Sequence, residues 1–289
     1  MTEVSAFWQE LNQKNEQQLH SSGIENIKRT VALNYFTWVG TLSWRDDQFR
    51  HLVWNTRLAD WPKILRDLPP PELSAKQWFY LCTFTRMLHL FAKRHDRLGL
   101  LDRLAEPTFG NPFRITLDGK LISQDLANSV LELYSMLGEI DFDATLNICE
   151  IGAGYGRNAF VFLSLFPNCS YTIIDVPPAI DIAREYLQTV CPRSKVRFLL
   201  PDQLPPNRFD LTINISSFHE MTPAQVEEYF AFIDATSKKL YLKQWKCWHN
   251  PSDDVTITES DYPYRSNWRR IYSRTTLAQP SFFEALYDI

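Results

Sequence analysis

From residue 146 onward, short apolar runs alternate with amphipathic stretches of helical period. Leu146–Ile151, Tyr171–Asp175, Val196–Leu200, Phe209–Ser217 and Lys239–Trp245 are the runs. Between them, Arg157–Phe166 and Ala179–Val190 carry apolar residues at helical spacing, and Thr222-Pro-Ala-Gln225 is a capping box that opens a helix to about Ala235. Strands alternating with helices predict an α/β fold with a parallel sheet. Trp268–Arg274 and Ser281–Ile289 read as a closing pair of strands. The first half has a different texture. From Phe7 to about Leu104 the pattern is helical, most clearly at Trp78, Leu81, Cys82, Thr85, Leu88, Phe91 and Ala92, with Ser74 placed to cap that helix. Glu106 to Gly119, with two prolines and a glycine close together, reads as a loop. Ser123 then caps a helix with the apolar face Leu126, Val130, Leu133, Tyr134 and Leu137, ended by Gly138. The expected division is a helical cap over residues 1–120 and an α/β domain over residues 121–289.

The stretch between the first strand and the following helix reads Glu150-Ile-Gly-Ala-Gly-Tyr-Gly-Arg157. Three of the nine glycines of the chain, Gly152, Gly154 and Gly156, fall here. Strand, glycine turn and helix let backbone N–H groups approach a ligand with no side chain in the way. A dinucleotide fingerprint would need its third glycine at position 157, which is Arg157. The alternating glycines after an acid instead resemble the first motif of the Rossmann-like S-adenosylmethionine-dependent methyltransferases. That resemblance implies a cofactor loop formed by Glu150, Gly152, Ala153, Gly154 and Gly156, with Tyr155 beside the substrate.

One strand-helix-strand unit later stands Asp175, where an acid accepts hydrogen bonds from ribose hydroxyls, followed by Val176. Asp202 and Gln203 follow the third strand, where related enzymes contact adenine. The fourth strand, Phe209–Ser217, brings Ser216 to the cofactor as an expected contact and leads into Phe218-His219-Glu220-Met221, held between a strand end and a capped helix. An isolated histidine is more often structural, but this loop favours a catalytic reading of His219 with Glu220 beside it. Asn214-Ile-Ser-Ser217 does not match the Asn-Pro-Pro-Tyr signature of adenine N-methylating enzymes. Lys243, Gln244 and Trp245 bring a polar rim to the end of the fifth strand as substrate contacts. Gln124 and Asn128, at the start of the helix before the glycine turn, are expected to face the cofactor or the substrate.

Composition narrows the partners. A net charge of −4 gives no electrostatic reason to expect nucleic acid. Five widely spaced cysteines with no C-x-x-C pair argue against a disulfide framework and a zinc site. Asp253-Asp254, the nearest thing to a metal pair, reads as a solvated loop within the polar stretch His249 to Asp261, so no metal is expected. No apolar run approaches the ~18 residues of a membrane span, and no secretory leader is evident, so a cytoplasmic location is expected. Six of nine tryptophans lie in the first half (Trp8, Trp38, Trp44, Trp54, Trp61 and Trp78), where they could fill a helical core or line a lid.

Several stretches together resemble the sugar O-methyltransferases associated with glycosylated natural products. They are Glu106-Pro-Thr-Phe-Gly-Asn-Pro112, Ser123-Gln-Asp-Leu126, the glycine motif, Ile174-Asp-Val-Pro177, Phe218-His-Glu-Met221 and Leu242-Lys-Gln-Trp245. Members often carry glutamine where this chain has His219. The resemblance implies a seven-stranded, mostly parallel Rossmann-like sheet with an antiparallel last strand. It implies S-adenosylmethionine as methyl donor, S-adenosylhomocysteine as product, and a hydroxylated small molecule, in particular a glycoside, as acceptor. N- or C-methylation and a non-catalytic cofactor-binding module are the alternatives.

Overall fold

The computed structural model describes residues 5–30, 46–141, 145–250 and 254–289. Seven strands form the main sheet: β1 (Asn147–Ile151), β2 (Ser170–Ile174), β3 (Lys195–Leu199), β4 (Leu211–Ile215), β5 (Lys239–Trp245), β6 (Arg269–Thr275) and β7 (Phe282–Asp288). Their order across the sheet is β6-β7-β5-β4-β1-β2-β3. The pairs among β1 to β5 are parallel, as with Glu150 opposite Ile173 and Asn214 opposite Leu242. β7 enters antiparallel between β5 and β6, pairing Phe282 with Trp245 and Asp288 with Lys239. The order reverses between β1 and β4, so the crevice at the carboxyl ends of these two strands is where such a sheet binds ligands. This is the Rossmann-like sheet implied by the sequence resemblance, with the last strand antiparallel as expected.

Why these residues form these strands is visible in their burial. β4 is buried at every position, and β1, β2 and β5 are buried over nearly their whole lengths, as strands covered on both faces must be. Helices Arg157–Leu165, Ala179–Val190 and Pro223–Thr236 supply the cover. The last of these begins on the capping box foreseen in the sequence, with Thr222 Oγ1 accepting from Gln225 N.

Contacts divide the chain into two compact units. One comprises Met1–Gln17, Glu139–Thr276 and Ser281–Ile289, and holds the sheet. The other comprises Gln18–Gly138 with Leu277–Pro280 and is largely helical. The division falls after Gly138 rather than at residue 120 because the buried face of Gln124–Leu137 packs on the long helix Ala75–His95. Residues 5–17 go with the sheet.

Four local features differ from expectation. Ser74 precedes Ala75–His95, but its hydroxyl donates to Gln77 Oε1 instead of capping the backbone. The helical unit is not wholly helical: Thr116–Leu117 pairs with Lys120–Leu121 across Asp118-Gly119, both at positive φ, as a tight hairpin turn requires. Cys247–Asn250 pairs with Val255–Thr258 where a loop was expected. Of the tryptophans, Trp78 is buried and Trp54 is 84% exposed, while Trp38 and Trp44 lie outside the described residues, as does Asp253. Among the described residues no helix is long and apolar enough to cross a membrane, and no group of three or more His, Cys, Asp or Glu could hold a metal. All five cysteines are free thiols.

Candidate active site

A cavity opens at the carboxyl ends of β1, β2 and β4. Gly152, Asp175, Val176 and Ser217 line it from the strand ends, and Met221 and Tyr229 line it from the segment after β4.

The glycines are required by the turn. Gly152, Gly154 and Gly156 all have positive φ, at 72°, 59° and 89°. A Cβ on Gly152 would stand 2.1 Å from Ser217 Oγ and 2.5 Å from Ser217 Cβ, so only glycine lets the two strand ends meet. Asp175 is then held by backbone donors: Gly154 N–H gives 2.9 Å to Oδ2 and Val176 N–H gives 2.8 Å to Oδ1. Burial nevertheless pushes its carboxyl up to about 7, against the lowering effect of the Val176, Gly154 and Ala153 backbone. A carboxylate has about four lone-pair sites, so after these three backbone donors about one remains for a donor from the cavity.

Glu150 has a different task from the one expected. Its Oε2 accepts from Tyr171 OH (2.7 Å) and its Oε1 from Asn158 Nδ2 (3.2 Å), which ties β1 to β2 and to the helix after the turn. Glu150 is therefore a brace for the glycine turn and does not line the cavity. Burial, and then the Glu150 charge, push the Tyr171 phenol well above its usual range. Tyr155 is likewise packed inward, its ring edge-on to Tyr186 at 5.2 Å.

Ser216 was the expected contact at the end of β4, but Ser217 lines the cavity. Ser216 adopts φ 54° while its N–H donates to Lys243 O, and this left-handed step turns the next residue inward. Lys243, Gln244 and Trp245 do not form one rim, because neighbouring residues of a strand point to opposite faces. Lys243 and Trp245 meet the Phe282 ring, at 5.7 Å and 4.3 Å, while Gln244 faces the other way into the sheet. Asp202 and Gln203 are exposed on a turn whose first residue, Pro201, lines the cavity; Gln203 Oε1 accepts from Leu200 N. Gln124 and Asn128 belong to the helical unit.

His219 and Glu220 sit in the short helical turn after β4, each 1% exposed and neither lining the cavity, although Ser217 and Met221 on either side of them do. The hydrogen bonds around His219 determine its tautomer. Asn214 Nδ2 donates to Ile151 O (2.8 Å) and Asn214 Oδ1 accepts from Phe218 N (3.2 Å), which fixes the amide. Gln244 must then present its Nε2 to Asn214 Oδ1, leaving Gln244 Oε1 to face His219 Nδ1 at 2.9 Å. An oxygen acceptor there makes Nδ1 the protonated nitrogen and Nε2 the lone pair. Nε2 stands 3.5 Å from Glu220 Oε1. Burial lowers the imidazole to about 4, partly opposed by the Gln244 bond, so the ring is neutral at pH 7. Burial raises Glu220 well above the carboxylate range, and neither of its oxygens has a hydrogen-bond partner among the described residues.

Sequence reasoning missed Trp8, Ile174, Gln225 and Tyr229 as cavity residues. Tyr229 had a signal, since Val226, Tyr229, Phe230 and Ile233 share the buried face of their helix. Trp8 had none. It is fixed by Ser5, whose hydroxyl donates to Glu220 O (2.9 Å) and accepts from Trp8 N (3.4 Å).

Residues 149–238 match the family described as a methyltransferase domain. No curated protein matches the chain in sequence. Solved structures with a similar fold include the pyocyanin biosynthetic protein PhzM, at 12% identity over 56% of this chain and 56% of that one, TM-score 0.45. The mitomycin 7-O-methyltransferase MmcR is similar at 18% identity over 56% of this chain and 55% of its own, TM-score 0.44. A SAM-dependent methyltransferase from Aquifex aeolicus is similar at 18% identity over 55% of this chain and 92% of its own, TM-score 0.42. The match thus spans little more than half the length of PhzM and MmcR. The segment bearing the glycine turn thus lies within the part of the chain that matches a methyltransferase domain.

Proposed function

We propose that the whole protein transfers the methyl group of S-adenosylmethionine to a hydroxyl of a small molecule, with a glycoside as the preferred acceptor class and His219 as general base. The observation that carries this reading is the cavity at the switch point of the sheet, lined by Gly152, which brings no side chain to it, and by the buried carboxyl of Asp175. Both features suit a nucleoside: Asp175 would take its ribose hydroxyls, and Val176 and Pro201 would bound its base. When bound, S-adenosylmethionine supplies a methyl group on an electrophilic sulfonium.

The residues of this chain then have to position the acceptor and remove its proton. Positioning contributes up to ~7–11 kcal/mol in favourable cases. A neutral imidazole with its lone pair on Nε2 is in the form a general base needs, and Gln244 holds the opposite nitrogen. On this reading the hydroxyl proton passes to Nε2; because Nε2 is buried against Glu220 Oε1 and does not line the cavity, the acceptor reaches it only when the Phe218–Glu220 turn opens. Gln244 is on this reading a positioning residue. Gln244→Leu should reduce kcat about tenfold with S-adenosylhomocysteine affinity unchanged, because the buried Nδ1–H loses an acceptor worth ~1–1.5 kcal/mol. Equal kcat in the variant would remove the positioning role.

The experiment that tests the function uses S-adenosylmethionine carrying a deuterated methyl group, with a panel of glycosides and other hydroxylated metabolites read by mass spectrometry. Label on an acceptor oxygen supports the reading. Label on nitrogen or carbon, or no transfer from a protein that binds the donor, overturns it.

A further inference from the structure

Trp8 is the residue of the sheet cavity that the fold supplies from farthest away in the chain. Residues 5–17 belong to the same compact unit as the sheet, so its place in the wall is set within that unit. The Ser5 hydroxyl acts in two directions, as only a group that both donates and accepts can. It accepts from Trp8 N in the manner of an N-cap and donates to Glu220 O at 2.9 Å. Gln9 N–H donates to Ser5 O (3.0 Å), and the Phe7 ring stands edge-on to the Trp8 ring at 6.1 Å. Apart from the Glu220 bond, these contacts lie within the first turn of the helix and travel with it. The Glu220 bond ties that turn to the segment after β4, beside Met221 of the cavity.

The carboxyl that a nucleoside must reach is covered. Asp175 is 6% exposed, and Ser217, Tyr229 and Trp8, which line the same cavity, are buried too. One wall has to give way before a ligand of that size enters. The strand ends are held by backbone bonds, Gly152 N–H to Ile174 O (2.9 Å) and Asp175 N–H to Leu199 O (3.2 Å). Tyr229 rides on the helix Pro223–Thr236, whose start is fixed by its capping box. Trp8 is held by packing and by the Ser5–Glu220 bond, and a neutral hydrogen bond shifts such an equilibrium by only about two- to tenfold. The Ser5–Trp8 turn is therefore the wall that yields.

We infer that the Ser5–Trp8 turn is a gate over the sheet cavity, latched on Glu220 O, which swings out with its own hydrogen bonds intact to admit the nucleoside. The latch bears on the second ligand as well. Glu220 belongs to the Phe218–Glu220 turn that buries His219 Nε2, so the bond that keeps Trp8 in the cavity also holds that turn shut. Release of one hydrogen bond loosens both coverings. That the admitted ligand is the methyl donor rests on the function proposed above.

The test measures association and dissociation rates of S-adenosylhomocysteine on the immobilised protein by surface plasmon resonance. Ser5→Ala unlatches the gate with and without ligand, so kon and koff should both rise about two- to tenfold while Kd stays within about twofold of wild type. Trp8→Ala removes the cover itself, and kon should rise about tenfold or more, because association no longer waits on a conformational step. A merely structural role for either residue would not speed association. Unchanged kon in both variants, or slower kon in either, would overturn the inference and make Trp8 a fixed wall. Weaker binding by Ser5→Ala through koff alone would do the same. Wild-type protein that binds no S-adenosylhomocysteine would remove the donor reading together with the gate, whereas binding at unaltered rates removes only the gate.

Discussion

His219→Ala should lower turnover by about 10²–10⁴-fold, the usual contribution of a general base, while S-adenosylhomocysteine binds within about twofold of wild type. The split follows from placement: the imidazole lies between Gln244 and Glu220 and does not line the cavity beside Asp175. Turnover within threefold of wild type would exclude His219 as the base. The pH profile carries independent information. A base must be unprotonated, and burial holds this imidazole at about 4, so the rate should be flat from about pH 7 down to about 5 and fall only below that. A fall through the ordinary histidine range near 6.5 would mean a solvated ring without the Gln244 contact. Stability responds in the same window. Because the folded value lies below the unfolded one, the contribution of His219 is full above about 6.5 and is lost as pH falls toward 4.

Gly152→Ala should be the most damaging small substitution in the sheet unit. The new methyl would sit 2.5 Å from Ser217 Cβ, which cannot rotate away, and alanine at φ 72° adds ~1–2 kcal/mol of backbone strain. Overpacking costs ~1–3 kcal/mol more, so a total loss of about 2–5 kcal/mol is expected, with cofactor affinity falling at least tenfold as the turn shifts. Ser217→Gly in the same chain removes the colliding atoms and should restore part of both losses. Additive effects in this double-mutant cycle would show that the two residues do not meet.

The sheet was legible in the sequence because its strands are buried on both faces and read as continuous apolar runs. The glycine spacing and Asp175 were legible because each is a backbone or charge requirement at a strand end. The Cys247–Asn250 hairpin strand was not, since it alternates exposed and covered residues without apolar period. Orientation was the other hidden quantity. One residue of register separates Gln244 from Lys243 and Trp245, and one left-handed residue separates Ser216 from Ser217, and neither shows in composition or spacing. Trp8 reaches the cavity through a contact between Ser5 and Glu220, 215 positions apart in the chain.

The assignment of the sheet cavity to the methyl donor is tested most directly by titrating S-adenosylhomocysteine into the protein between pH 5.5 and 8.5. Asp175 is held up at about 7, and on the proposed reading ribose hydroxyls would donate to it and favour the ionised form. Binding should therefore release a proton, with affinity rising up to tenfold per pH unit below about 7 and levelling above it, and Asp175→Ala should lose both the affinity and the pH dependence. Affinity independent of pH, or an Asp175→Ala protein that binds as tightly as wild type, would contradict the assignment.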